Sequence, residues 1–238
     1  MTTDPSTPSA ALDALADQLR PGAGLRLRQA ALAGPLRGFH QRLLRAFVAG
    51  VRPPDAAVVG RLAGEPELDP QAALAALAAI DLVHVDPATG AIRVAYPFSG
   101  QPTPFRVELA GGPGVFAMCA IDALGIPQML GRDARINAND PASGQPITVG
   151  VHHGVWRFVP ETTVVLEGRI AAGDAGGAVA DCCCPHINFH IDRAVADAYH
   201  RAHPGMTARL LDQAQAVTAA GRAFGSLLNP SSPPEEAP

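Results

Sequence analysis

The thiols of this chain are few and unevenly distributed. Three of its four cysteines, Cys182, Cys183 and Cys184, are adjacent in the sequence. Adjacent thiols can form a disulfide, contribute to a zinc site or bind a soft metal ion as thiolates. The paired cysteines of structural zinc sites usually have two to four residues between them, and those of thiol redox pairs have two. Neither spacing occurs here. The pattern therefore favours thiolates that bind a soft metal.

The residues around these cysteines alternate between polar and apolar types. If residues 180–190 form an extended strand, side chains two positions apart point to the same face. The polar face would then contain Cys182, Cys184, His186, Asn188 and His190. The apolar face would contain Cys183, Pro185, Ile187, Phe189 and Ile191. We therefore predict that Cys184 faces a functional site, that Cys182 is a further candidate, and that Cys183 fills the core. The two histidines are expected to pack rather than to bind a ligand.

A second group with chemical potential lies earlier in the chain. Cys119 and Asp122 are three positions apart, so they share one face of a predicted helix. Near a helix N-terminus the helix dipole is expected to lower the pKa of the Cys119 thiol. Asp122 could then exchange a proton with that thiol. The alternative is a small buried cysteine beside an exposed aspartate. Together with the triple cysteine, this group offers two thiols from distant segments and one carboxylate.

The composition restricts the classes of protein to which these thiols could belong. The chain has 238 residues, of which 47% are hydrophobic, as is typical of one or two globular domains. Residues 1–20 are predicted to be disordered or loosely attached, and residues 229–238 to be a disordered tail. No apolar run reaches the roughly 20 residues that span a bilayer, and no secretory leader is recognisable. We therefore expect a cytoplasmic protein with reduced thiols and no membrane partner.

The first part of the chain is rich in helix signals. Apolar residues recur at helical spacing in residues 36–49, and further helices are predicted after the N-cap residues Asp55 and Asp69. Two alternating segments joined by a turn follow, which indicates a β-hairpin. Three helices followed by a hairpin are typical of a winged helix-turn-helix module, and we place this module at residues 21–98.

The charge of this module argues against DNA binding. No Lys or Arg occurs between Arg61 and Arg93, whereas acidic residues are frequent there. A helix that reads DNA presents basic or amide side chains to bases and phosphates. The net charge of the chain is also negative, at −4. We therefore predict a structural or lid-like module with no nucleic-acid partner.

The second part of the chain is predicted to form a mixed domain. Residues 99–114 are rich in Gly and Pro and are interpreted as a connection to a catalytic domain at 115–228. A short apolar helix, ended by Gly125 and Pro127, would begin this domain. Short strands are then predicted at 134–140, 146–153, 155–159 and 162–168, with a Gly- and Ala-rich loop at 170–179 and helices from about 192. The fold class is therefore α+β, a winged-helix-like helical module before a mixed α/β domain with a small, mostly antiparallel sheet and C-terminal helices.

With these residues and motifs, the chain resembles the alkylmercury lyases, the organomercurial lyase family of mercury-resistance systems. The resemblance covers about residues 36–228 and is strongest at 92–107, 116–136 and 184–189. It implies that Cys119, Asp122 and Cys184 are catalytic, and that the N-terminal module packs over them without binding DNA. Two positions depart from the family pattern. Asp140 lies where active members often have a structural cysteine, and Met118 replaces an aromatic residue.

The resemblance implies cleavage of the carbon–mercury bond of organomercurials by protonolysis. One thiolate attacks mercury, the second joins it, and Asp122 moves a thiol proton to the departing carbon. The products would be a hydrocarbon and Hg(II) held by Cys119 and Cys184. Asp122 is a further candidate mercury ligand, and Cys182 is a candidate extra thiol. No organic cofactor is required. Low-molecular-weight thiols or a mercuric reductase would accept the Hg(II), and a monomer or homodimer is expected.

Three other functions stay open from the sequence. A binding protein could hold Hg(II) or Cu(I) on the same thiols without cleaving a bond. A family relative could act on another carbon–heteroatom bond. A winged-helix regulator could sense metal through its cysteines. Asp122 favours cleavage over storage because storage requires no proton donor, and the acidic residues between 62 and 92 disfavour the regulator.

Overall fold

The computed structural model describes residues 24–50, 53–64, 68–170 and 178–228. The ends that were predicted to be disordered, 1–20 and 229–238, lie outside these described residues. Most of the Gly- and Ala-rich loop predicted at 170–179 lies outside them as well. Within the described ranges, no helix is both long enough and apolar enough to cross a membrane.

Helices dominate the N-terminal part that the structure describes. They are α1 (Leu25–Ala30), α2 (Gly34–Ala49), α3 (Ala56–Ala63) and α4 (Pro70–Ala79). Both predicted N-caps are confirmed. The Asp55 carboxylate accepts a hydrogen bond from the Val58 N–H, and the Asp69 carboxylate accepts two from the first turn of α4. The buried face of α2 packs into the core through Phe39, Leu43, Leu44 and Phe47.

The larger sheet contains eight described strands, and neighbouring strands in it are antiparallel. They are β1 (Val83–Val85), β2 (Ile92–Ala95), β3 (Phe98–Ser99), β4 (Arg106–Leu109), β5 (Gly114–Ala117), β6 (Ala134–Asn139), β7 (Pro146–His152) and β8 (Val155–Val159). Their spatial order is β1-β2-β3-β5-β4-β6-β7-β8. The N-terminal hairpin is therefore hydrogen-bonded through β3 to β5, the strand that leads to Cys119.

One predicted connection contains a strand of the larger sheet. Residues 99–114 contain β4 and the adjoining ends of β3 and β5. A strand forms within this segment because alternate residues, Val107 and Leu109, bury one face of β4 in the core. The Gly and Pro residues that suggested a linker lie in the turns between these short strands. The winged-helix geometry of the N-terminal part and the division into domains stay predictions.

A smaller antiparallel sheet carries the C-terminal part. In it, β9 (Val164–Ile170) lies between β10 (Ile187–His190) and β11 (Met206–Leu211). The remaining helices are α6 (Val179–Cys182), α7 (Arg193–Ala202) and α8 (Gln213–Phe224). Residues 206–211 form this strand, so the prediction that residues 208–211 are helical was wrong. They pair with β9 over six residues, and these backbone hydrogen bonds outweigh the local helix propensity.

Helix α5 (Ala120–Leu130) is apolar on all sides and almost fully buried. It was predicted to end at Gly125 and Pro127, but it continues through both and ends at Gly131 in the left-handed conformation (φ 61°). Gly125 allows close packing and does not end the helix, because a Cβ there would lie 2.8 Å from the Cγ of Phe224 in α8. Tertiary contact with α8 therefore supports the helix past its proline.

The triple-cysteine segment is mostly helical, not extended. Helix α6 ends at Cys182, a 3₁₀ turn covers Cys184–His186, and only Ile187–His190 form a strand. Pro185 favours the first turn of a helical segment and cannot donate a hydrogen bond within a strand ladder. The predicted alternation of faces therefore fails for the cysteines.

Candidate active site

Cys119 lies where the larger sheet passes into helix α5. Strand β5 ends at Ala117, and Cys119 is the N-cap of α5 with an extended backbone (φ −152°). Its sulfur accepts a hydrogen bond from the Asp122 N–H across 3.4 Å, which is the usual role of a Ser or Asp oxygen. The residue is only 3% exposed. Sheet and helix thus hold the thiol in one place inside the core.

Asp122 lies in the first turn of α5, and its carboxyl group turns back onto the thiol. The Cys119 thiol donates a hydrogen bond to Oδ2 of Asp122 across 2.6 Å. Asp122 is 3% exposed. The carboxyl group is therefore buried against the thiol, and the alternative of an exposed aspartate does not apply.

Cys184 reaches the same point from the smaller sheet. It begins the 3₁₀ turn before β10, it is 3% exposed, and its Sγ lies 4.0 Å from Oδ2 of Asp122. The two sulfurs and a carboxylate oxygen all lie within 4.8 Å of one another. Residues that are 62 positions apart thus form one buried cluster of two thiols and one carboxyl group.

Burial dominates the protonation of this cluster. Loss of solvent raises the pKa of Asp122 from its usual 3.8 to about 7, although the hydrogen bond from Cys119 acts in the opposite direction. Burial, together with hydrogen bonding to Cys184 and the charge of Asp122, raises the pKa of Cys119 well above 9. The prediction of a lowered pKa for Cys119 was wrong, since desolvation of the thiolate outweighs the helix dipole.

Cys184 also keeps its proton near neutral pH. The hydrogen bond from Cys119 lowers the pKa of Cys184, but burial and the charge of Asp122 more than offset this and raise it overall. The cluster therefore rests as two thiols beside a carboxyl group that titrates near neutrality. Such a group can both accept and release a proton at physiological pH.

Residues 98–225 match the family model described as alkylmercury lyase, and this segment contains all three clustered residues. The chain belongs to the alkylmercury lyase family. Two alkylmercury lyases illustrate the degree of similarity. One from Pseudomonas putida is 31% identical over 106 residues, which cover 44% of this chain and 47% of that protein. One from Streptomyces lividans is 27% identical over 134 residues, which cover 56% and 60%. The chain thus spans about half of the length of these curated relatives.

A solved structure of similar fold is the crystal structure of the mercury-bound form of MerB2. It matches with a TM-score of 0.65 and 22% sequence identity, over 92% of this chain and 98% of that chain. The likeness concerns the fold, and it covers nearly the whole chain.

Two residues that the sequence analysis missed lie around the buried cluster. Tyr96 is 1% exposed, and burial with the nearby charges of Asp81, Cys184 and Asp122 raises the pKa of its phenol. Its hydroxyl donates to Oδ1 of Asp81 across 3.4 Å. Tyr96 lies within the strongest stretch of family resemblance, so that stretch could have identified it. Asp81, which has a left-handed backbone (φ 55°), had no comparable signal.

Asp81 connects the N-terminal helices with the cysteine segment. Its carboxylate accepts hydrogen bonds from Arg28 at 2.7 Å, from His84 at 2.6 Å and from the Val179 N–H at 3.4 Å. Burial raises the pKa of Asp81, but the hydrogen bonds from His84 and Arg28 outweigh it and lower the pKa overall. The start of α6, three residues before the triple cysteine, is thereby attached to the N-terminal part.

The other two cysteines form a second pair. Sγ of Cys182 lies 3.0 Å from Sγ of Cys183, both residues are half-buried, and all four cysteines are reduced. The strand interpretation predicted that Cys183 fills the core, which was wrong. Cys183 is only half-buried because it lies in a helical turn and not in a strand. Cys182 and Cys183 are not members of the buried cluster.

The remaining predicted positions have structural surroundings. His190 is fully buried, with Nδ1 3.4 Å from Oδ1 of Asp140, and His186 is half-buried, so neither joins the cluster. Asp140 accepts hydrogen bonds from Ala142 N–H and Ser143 N–H in its own turn and from Ile191 N–H beyond β10. It thus joins the β6–β7 turn to the end of β10, at the position where the resemblance led us to expect a cysteine. Met118 is partly buried and packs against the core.

Proposed function

We propose that this chain cleaves the carbon–mercury bond of organomercurials by protonolysis. The observation that carries the proposal is the 2.6 Å hydrogen bond between the Cys119 thiol and Asp122, with the Cys184 sulfur 4.0 Å from the same oxygen. Two thiols are the ligands that mercury prefers, and the carboxyl group supplies the proton that the departing carbon needs. Simple binding would need only the thiols.

The roles of the three residues follow from their contacts. As the first sulfur–mercury bond forms, Asp122 takes the proton of Cys119 through the hydrogen bond that already joins them. Cys184 then forms the second sulfur–mercury bond, and its proton leaves with the anion that accompanied R–Hg⁺. The carbon–mercury bond breaks, its electron pair stays on carbon, and Asp122 returns its proton to that carbon. The products are R–H and Hg(II) held by two sulfurs.

The raised pKa of Asp122 suits both halves of this cycle. A carboxyl group with a pKa of about 7 is a better base than an ordinary aspartate and is still acidic enough to protonate a leaving carbon. Its burial also keeps water from competing for the proton. No organic cofactor enters the scheme, and mercury is substrate and product.

The N-terminal part has a covering role in this proposal. Its winged-helix-like arrangement would hold the cysteine segment over the cluster through Asp81 and Tyr96, not read DNA. The absence of Lys and Arg between Arg61 and Arg93 supports this role. The proposed partners are a small organomercurial and, as Hg(II) acceptors, low-molecular-weight thiols or a mercuric reductase. We propose a cytoplasmic monomer or homodimer.

The test is release of benzene from phenylmercuric acetate by the reduced protein with excess thiol, followed by headspace gas chromatography. We expect catalytic benzene from the unmodified protein and none from Asp122→Asn or Cys184→Ser. Asp197→Asn, a half-buried carboxylate on α7, is the matched control and should keep full activity. Tight Hg(II) binding through Cys119 and Cys184 without benzene would instead support a soft-metal binding protein. If the protein forms no benzene and binds no Hg(II), the result would instead support a relative that acts on another carbon–heteroatom bond.

A further inference from the structure

The buried cluster raises the question of how Hg(II) leaves it. Cys119 and Cys184 are each 3% exposed, so a thiol in solution has almost no direct access to either sulfur. Exchange of a metal-bound or sulfur-bound thiolate proceeds by attack of an incoming thiolate, and its rate depends on access. A thiol of the protein itself, placed between the cluster and solvent, would remove this obstacle.

Two such thiols lie directly before Cys184 in the chain. Cys182 and Cys183 have sulfurs 3.0 Å apart and are half-buried, whereas Cys184 is buried. Adjacent residues have Cα atoms about 3.8 Å apart, so the pair is joined to Cys184 by the shortest link a chain allows. The three consecutive thiols therefore run from partial exposure into the core. The pair is also anchored, because Arg93 forms a two-fold ion pair with Asp181 at 2.9 and 3.3 Å.

Cys183 opens onto a groove that suits an incoming thiol. The groove has a volume of about 310 Å³ and is also lined by Arg169, Arg209 and Glu167. Arg209 is paired with Glu167, with Nε at 2.9 Å from Oε2. The positive charge of Arg169 in this groove would attract an acceptor that carries carboxylates.

We propose that Cys182 and Cys183 form a second mercury site, which takes Hg(II) from Cys119 and Cys184 and presents it at this groove to a small anionic thiol. The proposal rests on the proposed function for the source of the Hg(II). A pair of adjacent sulfurs in contact, beside a cation and at the edge of a groove, distinguishes this site from an isolated surface cysteine.

The transfer conserves atoms and charge. The Cys183 thiol loses its proton and its sulfur bonds to Hg(II), which has three sulfur ligands at that stage. Cys184 leaves mercury and takes up a proton. Cys182 and Cys119 repeat the exchange, so two sulfur–mercury bonds form and two break without any oxidation or reduction. Two incoming thiols then replace Cys182 and Cys183 in the same way.

The test measures release of Hg(II) without any cleavage step. The protein is given one equivalent of mercuric chloride and mixed with excess glutathione, and the loss of the sulfur–mercury absorption is followed by stopped flow. We expect Cys182→Ser/Cys183→Ser to bind this equivalent but to release it about tenfold more slowly than the unmodified protein. Equal release rates would overturn the proposal.

A second pair of variants tests the proposal if the Cys182→Ser/Cys183→Ser variant does not fold. Arg169→Gln should slow release, whereas Arg157→Gln on the exposed face of β8 should not, and equal rates in these two variants would also overturn the proposal. Benzene formed in a single turnover should be unchanged in Cys182→Ser/Cys183→Ser. Because the release assay starts from inorganic Hg(II), failure of the lyase proposal and failure of this one give different results.

Discussion

The Cys119 thiol donates a hydrogen bond to Asp122 across 2.6 Å, within the first turn of one helix. A thiol and a carboxyl group at this distance can exchange a proton directly, so the protonation of one group depends on the protonation of the other. Both groups are buried, so a proton can pass between them without entering bulk water. This relationship leads to the first two predictions.

Replacement of Asp122 by Asn should abolish cleavage and stabilise the fold at alkaline pH. The folded pKa of about 7 lies above the unfolded value of 3.8, so the folded state binds the proton more tightly and loses stability as pH rises from 3.8 through 7. Above pH 7 the charged, buried carboxylate costs as much as about 4 kcal/mol, which Asn removes. Urea unfolding at pH 8 and at pH 4 measures the difference. Equal stability gains at both pH values would contradict the assignment.

The single-turnover rate of cleavage should rise with pH through about 7. Below that pH the pair holds an extra proton, and a protonated Asp122 cannot accept the proton of Cys119. The measurement uses phenylmercuric acetate without added thiol, so that no external group titrates in this range. A rate that does not change between about pH 5.5 and about pH 8.5 would exclude Asp122 as the base.

Gly168 should be needed for the approach of Cys184 to the cluster. A Cβ at Gly168 would meet Sδ of Met206 and lie 2.7 Å from the His186 carbonyl oxygen, in the turn that begins at Cys184. We expect Gly168→Ala to cost about 1–3 kcal/mol and to slow cleavage.

Gly150→Ala is the matched control for this prediction. Gly150 lies within strand β7, and a Cβ there would have no heavy atom within 4 Å. Thermal unfolding and benzene release should both be close to those of the unmodified protein. If the two glycine variants behave alike, contact between β9 and the cysteine turn does not position Cys184.

Asp140 should stabilise the fold without taking part in cleavage. Its 1% exposed carboxyl group accepts hydrogen bonds from three backbone N–H groups, one of them beyond β10. Loss of a buried acceptor leaves these donors unpaired, so Asp140→Ala should cost about 1–3 kcal/mol. Asp86→Ala removes a similar turn carboxylate that is only partly buried, and it should cost less. Urea unfolding compares the two, and an equal cost would refute the role of burial.

Several features could be predicted from local sequence because they depend on near neighbours in the chain. Asp55 and Asp69 cap helices since each side chain reaches N–H groups two or three residues on. The β1–β2 hairpin followed from alternation and a turn. The motifs that pair Cys119 with Asp122 also required only helical spacing.

Where local signals and long-range packing disagree, packing decided the structure. Helix α5 continues through Pro127 because α8 packs against it, and residues 206–211 are a strand because β9 offers them backbone partners. The turn at Pro185 redirects the cysteines away from simple alternation.

The sequence by itself determined the chemical groups, namely four thiols and a carboxylate three residues after one of them. Only the tertiary structure decided which thiol meets Cys119, since the ends of two different sheets must come together to place Cys184 there. It also decided the sign of the pKa shift at Cys119. The helix dipole is a local property visible in sequence, whereas desolvation depends on every chain segment that covers the sulfur, and at this site desolvation is the larger effect.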